Sequence, residues 1–198
     1  MYLNGINQTS YQIDGSWQVV GSPWDNDFIG FVFGYQDASH FYLMDWKQGD
    51  QDVGVYIDDE NGIGREGFAI KKISADSGVD LSGADFWLSS GTENTTVLAS
   101  DFGTGKGWKE DTLYDFHLDF EPGTFSIVVK QDDIVLWDVT VNDSAYTSGQ
   151  FGFYNFSQEM VEYSGFEQTG GKAVPEPGTL ILVGLGLAGI ELWRKFRT

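Results

Sequence analysis

Residues 124–140, TFSIVVKQDDIVLWDVT, alternate apolar and polar side chains on both sides of Asp132-Asp133. Alternation with a period of two is the signature of a half-buried strand, and a tight polar reversal between two such runs predicts an antiparallel hairpin. Beyond the hairpin, residues 11–166 read as short apolar runs divided by Gly, Asp, Asn and Ser, and no stretch keeps helical apolar spacing for three turns. Strands are predicted at 17–20, 28–36, 41–48, 68–74, 86–88, 114–120, 124–131, 134–139 and 149–156. Nine or more strands in 198 residues imply one all-β domain, a sandwich or barrel with a single core. Aromatics make up 16% of the chain, enough to fill the space between two sheets.

Charge and composition exclude several functions. Thirty acidic side chains face eleven basic ones, a formal net charge of −19. The basic residues Lys47, Arg65, Lys71, Lys72, Lys106, Lys109 and Lys130 are scattered, so no basic stripe for a nucleic-acid backbone forms. The absence of cysteine rules out disulfides, thiolate metal ligands and a cysteine nucleophile. The two histidines, His40 and His117, belong to no Ser-His-Asp or His-x-x-x-His arrangement. For glycosidase chemistry, Asp115 and Asp119 share a strand face but lie about 13 Å apart at strand rise, beyond the ~5 to 5.5 Å of a retaining pair. Glu159 and Glu162 point to opposite faces of an extended chain. No catalytic residue is assigned.

The two ends differ in character. The start MYLNGINQTS has neither basic nor apolar leader regions, and the native start is expected further upstream. Three sequons of the form Asn-x-Ser/Thr stand at Asn7, Asn94 and Asn155. Residues 1–170 hold 28 acidic and 7 basic side chains, whereas 171–198 carry a net charge of +2. The division is therefore a domain at 1–169, a linker at 170–178, and a short C-terminal hydrophobic helix with a basic tail at 179–198. Sixteen residues from Gly178 to Trp193 would reach ~24 Å as a helix, a thin span against a ~30 Å hydrocarbon core. The basic residues that follow place the acidic domain outside the cytoplasm by the positive-inside rule.

Two resemblances follow from these segments. VPEPGTLILVGLGLAGIELWRKFR, residues 174–197, resembles a PEP-CTERM sorting signal: the triplet Pro175-Glu176-Pro177, a Gly- and Leu-rich apolar run, then Arg194, Lys195 and Arg197. That resemblance implies export, removal of the tail near the triplet by an exosortase in a Gram-negative bacterium, and membrane anchoring before processing. The body resembles the C-terminal domain of thrombospondins through DNDFIGFVFGYQDASHFYLMDWKQ (25–48), GWKEDTLYDF (107–116) and GQFGFYNFSQEMVEYSGF (149–166). It implies a concanavalin-type, L-type lectin-like antiparallel β-sandwich (jelly roll) that binds calcium and acts in adhesion or extracellular matrix. The chain departs from that pattern in lacking the strand region ahead of Tyr11, the calcium-binding repeats that precede the domain, a cysteine after the last strand, and an Arg-Gly-Asp tripeptide.

The calcium expectation falls on the turn before the second apolar run. Calcium takes six to eight oxygens at about 2.3–2.6 Å, and Asp25, Asn26 and Asp27 offer three in a row. The family resemblance implies carboxylates at 25 and 27, and the alternative is a turn whose side chains bond its own backbone. Asp45, set between Met44 and Trp46, is a further ligand candidate unless it faces solvent or is paired. The 58–67 segment DDENGIGREG fails as an EF-hand, because Ile63 and Ile70 occupy ligand positions. Trp24 and Trp108, beside acidic or Gly-rich loops, are candidates for stacking on an extracellular polysaccharide, with core packing as the alternative. The partner is such a polysaccharide or another surface protein, and the competing function is a carbohydrate-binding or carbohydrate-active sandwich.

Overall fold

A computed structural model describes residues 1–21, 24–52, 62–76 and 81–171. Thirteen strands and one short helix occur in these residues. One sheet has six strands in the order β1 (Tyr2–Leu3), β12 (Gln150–Phe156), β3 (Phe28–Asp37), β4 (His40–Lys47), β7 (Gly67–Ser74), β8 (Thr95–Phe102). The other has five, β11 (Ile134–Val141), β10 (Thr124–Gln131), β9 (Tyr114–Glu121), β2 (Tyr11–Val19), β13 (Val161–Thr169). A two-stranded ribbon joins β5 (Gln51–Asp52) to β6 (Ile63–Gly64). Every strand pair is antiparallel. The expected hairpin is present: Gln131 pairs with Ile134 across Asp132-Asp133, and Asp132 takes the left-handed φ of 53° that the reversal needs.

Aromatic side chains fill the space between the sheets. Trp17 stacks on Phe116 at 4.6 Å, Trp46 on Phe68 at 4.2 Å, and Phe68 on Trp137 at 5.1 Å. The six-stranded sheet is also covered on its outer face. There Phe28, Val32, Phe41, Leu43, Ile73 and Tyr154 pack against Ala84, Trp87 and Leu88, the last three contributed by α1 (Gly83–Trp87) and the residue after it. Strands β3 and β4 are therefore buried on both faces, which explains why their sequences read as nearly unbroken apolar runs.

The predicted strand at 86–88 is corrected: Phe86 and Trp87 end helix α1. Its start is a capping box, in which the Asp85 carboxylate accepts hydrogen bonds from the Ser82 amide at 2.7 Å and the Ser82 hydroxyl at 3.0 Å. Strand β2 begins at Tyr11 rather than at 17, and β1, β5, β6, β8 and β13 are additional; β1, paired with β12, lies ahead of Tyr11, where a strand region is expected to be missing. The segment expected as an apolar C-terminal helix, the sorting residues Pro175, Glu176, Pro177, Arg194, Lys195 and Arg197, and residues 58–61 of the 58–67 segment lie outside the described residues.

Candidate functional site

The acidic turn lies where β2 passes to β3, at the end of the sandwich where β4 finishes and β7, β9 and β13 begin. Its backbone is fixed from three directions. Gln158 Oε1 accepts the Asp27 amide at 2.8 Å, Trp108 Nε1 donates to the Asp27 carbonyl at 3.0 Å, and the Gln48 amide donates to the Asn26 carbonyl at 3.3 Å. Trp108 is thus a core residue, 1% exposed, and cannot stack on an external sugar. Trp24 is 97% exposed and keeps its whole indole in solvent.

The side chains of the turn divide. Asn26 and Asp27 face inward to the Lys47 ammonium, which sits opposite Phe28 in the β3–β4 register. Lys47 Nζ donates to Asp27 Oδ1 at 2.9 Å, Gln51 Oε1 at 2.9 Å and the Asn26 carbonyl at 3.1 Å, with Asn26 Oδ1 at 3.5 Å. The Phe28 and Trp87 rings lie 4.9 and 4.5 Å from the same nitrogen. Oxygens and ring faces together make a nest suited to an ammonium. Burial pulls the Lys47 ammonium below its usual value, opposed by the hydrogen bond and charge of Asp27.

Asp25 faces outward. One of its oxygens accepts the Glu159 amide at 2.8 Å, and its carboxyl lies against that of Asp27. Burial, with the repulsion of Asp27 and Glu159, holds Asp25 above the ordinary carboxylate range, against the lowering effect of the Glu159 amide. The side-chain donors of the turn are hard oxygens, the kind calcium takes; Asp27 is already neutralised by the Lys47 ammonium, and Asp25 is the carboxylate left towards solvent. The turn would supply part of a coordination sphere, since no group of three or more His, Asp or Glu side chains among the described residues is placed to share one ion.

Asp45 does not join this turn. It is 1% exposed on the outer face of the six-stranded sheet, where its Oδ2 pairs with Lys71 Nζ at 2.8 Å. Of the alternatives for a carboxylate in that strand, the paired one holds. Lys71 Nζ also donates to the Phe86 carbonyl at 2.6 Å, tying α1 to the sheet. Burial raises the Asp45 carboxyl despite this partner. Gly30 lies between Asp45 and Tyr154 in the strand registers, and a Cβ there would come within 2.0 Å of the Met44 carbonyl oxygen.

The residues not singled out from the sequence are Lys47, Lys71, Gln51, Gln158 and Glu159. For the lysines a signal existed: Asp45 and Lys47, two apart in a strand that is otherwise apolar, share one face and demand partners there. Gln158 and Glu159 are distant in sequence, and only the fold brings them to the turn. The carboxylates weighed for hydrolysis stay apart: Asp119 accepts a hydrogen bond from Gln12, and Glu162 from Gln18, each across neighbouring strands.

The chain belongs to the family described as the thrombospondin C-terminal region, which it matches over residues 6–170. Residues 173–195 match the PEP-CTERM protein-sorting motif. Thrombospondin-2 of Bos taurus is 34% identical over 152 residues, covering 73% of this chain and 13% of that protein. Cartilage oligomeric matrix protein of Rattus norvegicus is 30% identical over 162 residues, covering 79% of this chain and 21% of that protein. The chain thus corresponds to a small part of these relatives. Among solved structures, carbohydrate binding module CBM66 from Bacillus subtilis superposes with a TM-score of 0.55 at 13% identity, covering 85% of this chain and 80% of that one. The fold is the lectin-like β-sandwich, and the sorting motif joined to an extracellular-type domain marks an exported protein.

Proposed function

We propose that the protein is an exported, non-catalytic, calcium-binding adhesion or matrix module of a Gram-negative bacterium, released from a membrane-anchored precursor by an exosortase. The observation that carries this reading is the order of two family matches in one chain, the thrombospondin C-terminal region followed at once by the sorting motif. The calcium part is supported by the adjoining Asp25 and Asp27 carboxylates. Asp25 and Asp27 would hold the ion, with water completing the sphere. The ion would neutralise charge at the turn and fix the end of the sandwich in one shape. The partner is an extracellular polysaccharide or a surface protein, and the shared fold with CBM66, by name a carbohydrate binding module, accords with the former.

Thermal unfolding in chelator and in calcium tests the metal claim. An ion that binds only the folded state at a hundred times its Kd adds about 2.7 kcal/mol, which for a domain of this size raises Tm by roughly 5–10 °C. Asp25→Asn is expected to remove most of that increment while folding normally in chelator, because Asp25 carries repulsion that the ion would relieve. An unchanged Tm on addition of calcium to the wild type would end the calcium reading. Release of reducing sugar from a polysaccharide would favour the carbohydrate-active alternative.

A further inference from the structure

Strands β1 and β13 are edge strands of the two sheets and face one another along one side of the sandwich, where Asn4 Nδ2 donates to Gln168 Oε1 at 3.2 Å. Between them the sheets stay parted. Two depressions of about 190 and 420 Å³ share Tyr2 and Phe153 as walls and form one groove. Its floor is the core itself, with Phe153 stacked on Tyr163 at 4.2 Å and Ile13 beside them. Met1, Tyr2 and Ile6 make its rim and are 55%, 78% and 48% exposed. Asn4 Oδ1 accepts the Ile6 amide at 3.0 Å and Gly5 takes a left-handed φ of 73°, so a fixed turn presents Ile6. No charged side chain lines either depression, in a chain of net charge −19.

The point where the chain leaves the sandwich narrows the occupant. Strand β13 runs along the groove and ends at Thr169. Gly170 and Gly171 follow with left-handed φ values of 70° and 105°, and a Cβ at Gly171 would run into the Gln8 side chain, whose Oε1 accepts Gln168 Nε2. The chain is thus turned from β13 across the foot of the groove, towards the segment that carries Ile6. From there residues 172–178 can extend about 23 Å at strand rise, which matches the seven residue steps between Gln8 and Met1. The residues at and beyond the end of that tether, 177–190, read PGTLILVGLGLAGI and carry no charged side chain. An uncharged apolar segment tethered at the foot of an uncharged apolar groove has an effective concentration on the order of millimolar. A second copy, of net charge −19, meets repulsion first.

We propose that the apolar segment 179–190 of the same chain folds back into this groove until a membrane takes it up. Its Leu, Ile and Val side chains cover Tyr2, Ile6 and Phe153, which keeps both apolar surfaces out of water and away from other chains. Passage of the segment into a bilayer, or loss of the tail, then uncovers the groove. The proposal rests on the reading of the tail as a membrane-seeking sorting segment and makes no use of the calcium ion.

The test is disulfide trapping in the full chain, which contains no cysteine of its own. Ile6→Cys is combined in turn with Leu180→Cys, Leu182→Cys and Leu185→Cys, and each variant is oxidised mildly in chelator without detergent. Glu121→Cys serves as the control partner, since it lies at the same end of the sandwich as Thr169 but two strands from β13. An intramolecular disulfide is expected to form at least fivefold faster with Ile6→Cys than with the control for at least one tail position. Tyr2→Asp in the groove and Val183→Asp in the tail are each expected to slow it at least fivefold, the second at a site beyond β13. Dodecyl maltoside micelles, which offer the segment another apolar environment, are expected to abolish the preference. Equal rates for the two partners, indifference to both aspartate variants, or a preference kept in micelles overturns the proposal. A disulfide between two chains also overturns it, and assigns the groove to the tail of a neighbouring copy. Because the trapping is done in chelator, its failure is separate from that of the calcium reading, which the melting experiment reports.

Discussion

Replacing Lys47 by methionine is expected to destabilise the protein by about 3–5 kcal/mol, the cost of leaving one member of a buried ion pair without its partner. Methionine keeps an apolar stem of similar length and removes the charge together with its contacts to the Phe28 and Trp87 rings. It leaves Asp27, 7% exposed, as an uncompensated carboxylate, and removes the donor to Gln51 Oε1 and the Asn26 carbonyl. For a domain of this length such a loss lowers Tm by roughly 6–20 °C. Adding Asp27→Asn to Lys47→Met is expected to restore much of it, because the stranded charge is then gone. Calcium is expected to recover more stability in Lys47→Met than in the wild type, since Asp27 is freed from the ammonium. Chemical denaturation of the wild type, the two single variants and the double variant checks the cycle. A loss below about 1 kcal/mol in Lys47→Met, the value of an exposed pair, would show that the enclosed ammonium does not organise the turn.

Replacing Lys71 by methionine is the second large effect, expected to cost about 3–5 kcal/mol by the same reasoning. Asp45 and Lys71 are each 1% exposed, and the lost donor to the Phe86 carbonyl also loosens the attachment of α1 to the sheet. The double variant Asp45→Leu, Lys71→Met is expected to be as stable as the wild type or more so by up to about 4 kcal/mol, because desolvation of both ions is relieved at once. The comparison separates a pair that stabilises from one that is merely costly to break. If the double variant is as weak as the single one, the layer contributes through packing and not through charge.

The hairpin 124–140 is fully legible because its alternation faces one core on one side and water on the other, and the strands at 28–36 and 41–48 because both of their faces are buried. Strands β8 and β13 are not. TTVLASDF alternates poorly along an edge, and VEYSGFEQT mixes Glu, Ser and Gly with single apolar residues; each is a strand because a neighbouring strand supplies its hydrogen bonds. The 86–88 segment carries aromatic and aliphatic side chains that suit either structure, and the deciding feature is Ser82 followed three residues on by Asp85, which starts a helix.

The candidate site is legible in composition and not in geometry. Three oxygen-bearing residues before an apolar run read as a calcium turn, and in the fold Asn26 and Asp27 of that turn meet the Lys47 ammonium, twenty residues from Asp27 and brought into register by the β3–β4 hairpin. Asp45 reads as a carboxylate in need of a partner, but Lys71 comes from β7, a strand whose pairing no local pattern specifies. Trp24 and Trp108 both adjoin polar loops in sequence, yet one is in solvent and the other closes the core beneath the turn. Burial of a single aromatic depends on which loop folds over it, and spacing along the chain does not carry that information.

The sharpest check on the calcium reading is a crystal structure of the protein grown in millimolar calcium. The expected result is an ion with six to eight oxygen ligands at about 2.3–2.6 Å, bound through Asp25 and Asp27, with Lys47 displaced from, or sharing, the Asp27 carboxylate. Density for water alone around this turn, with the Lys47 ammonium still seated on Asp27 and no calcium at any other acidic loop, would contradict it.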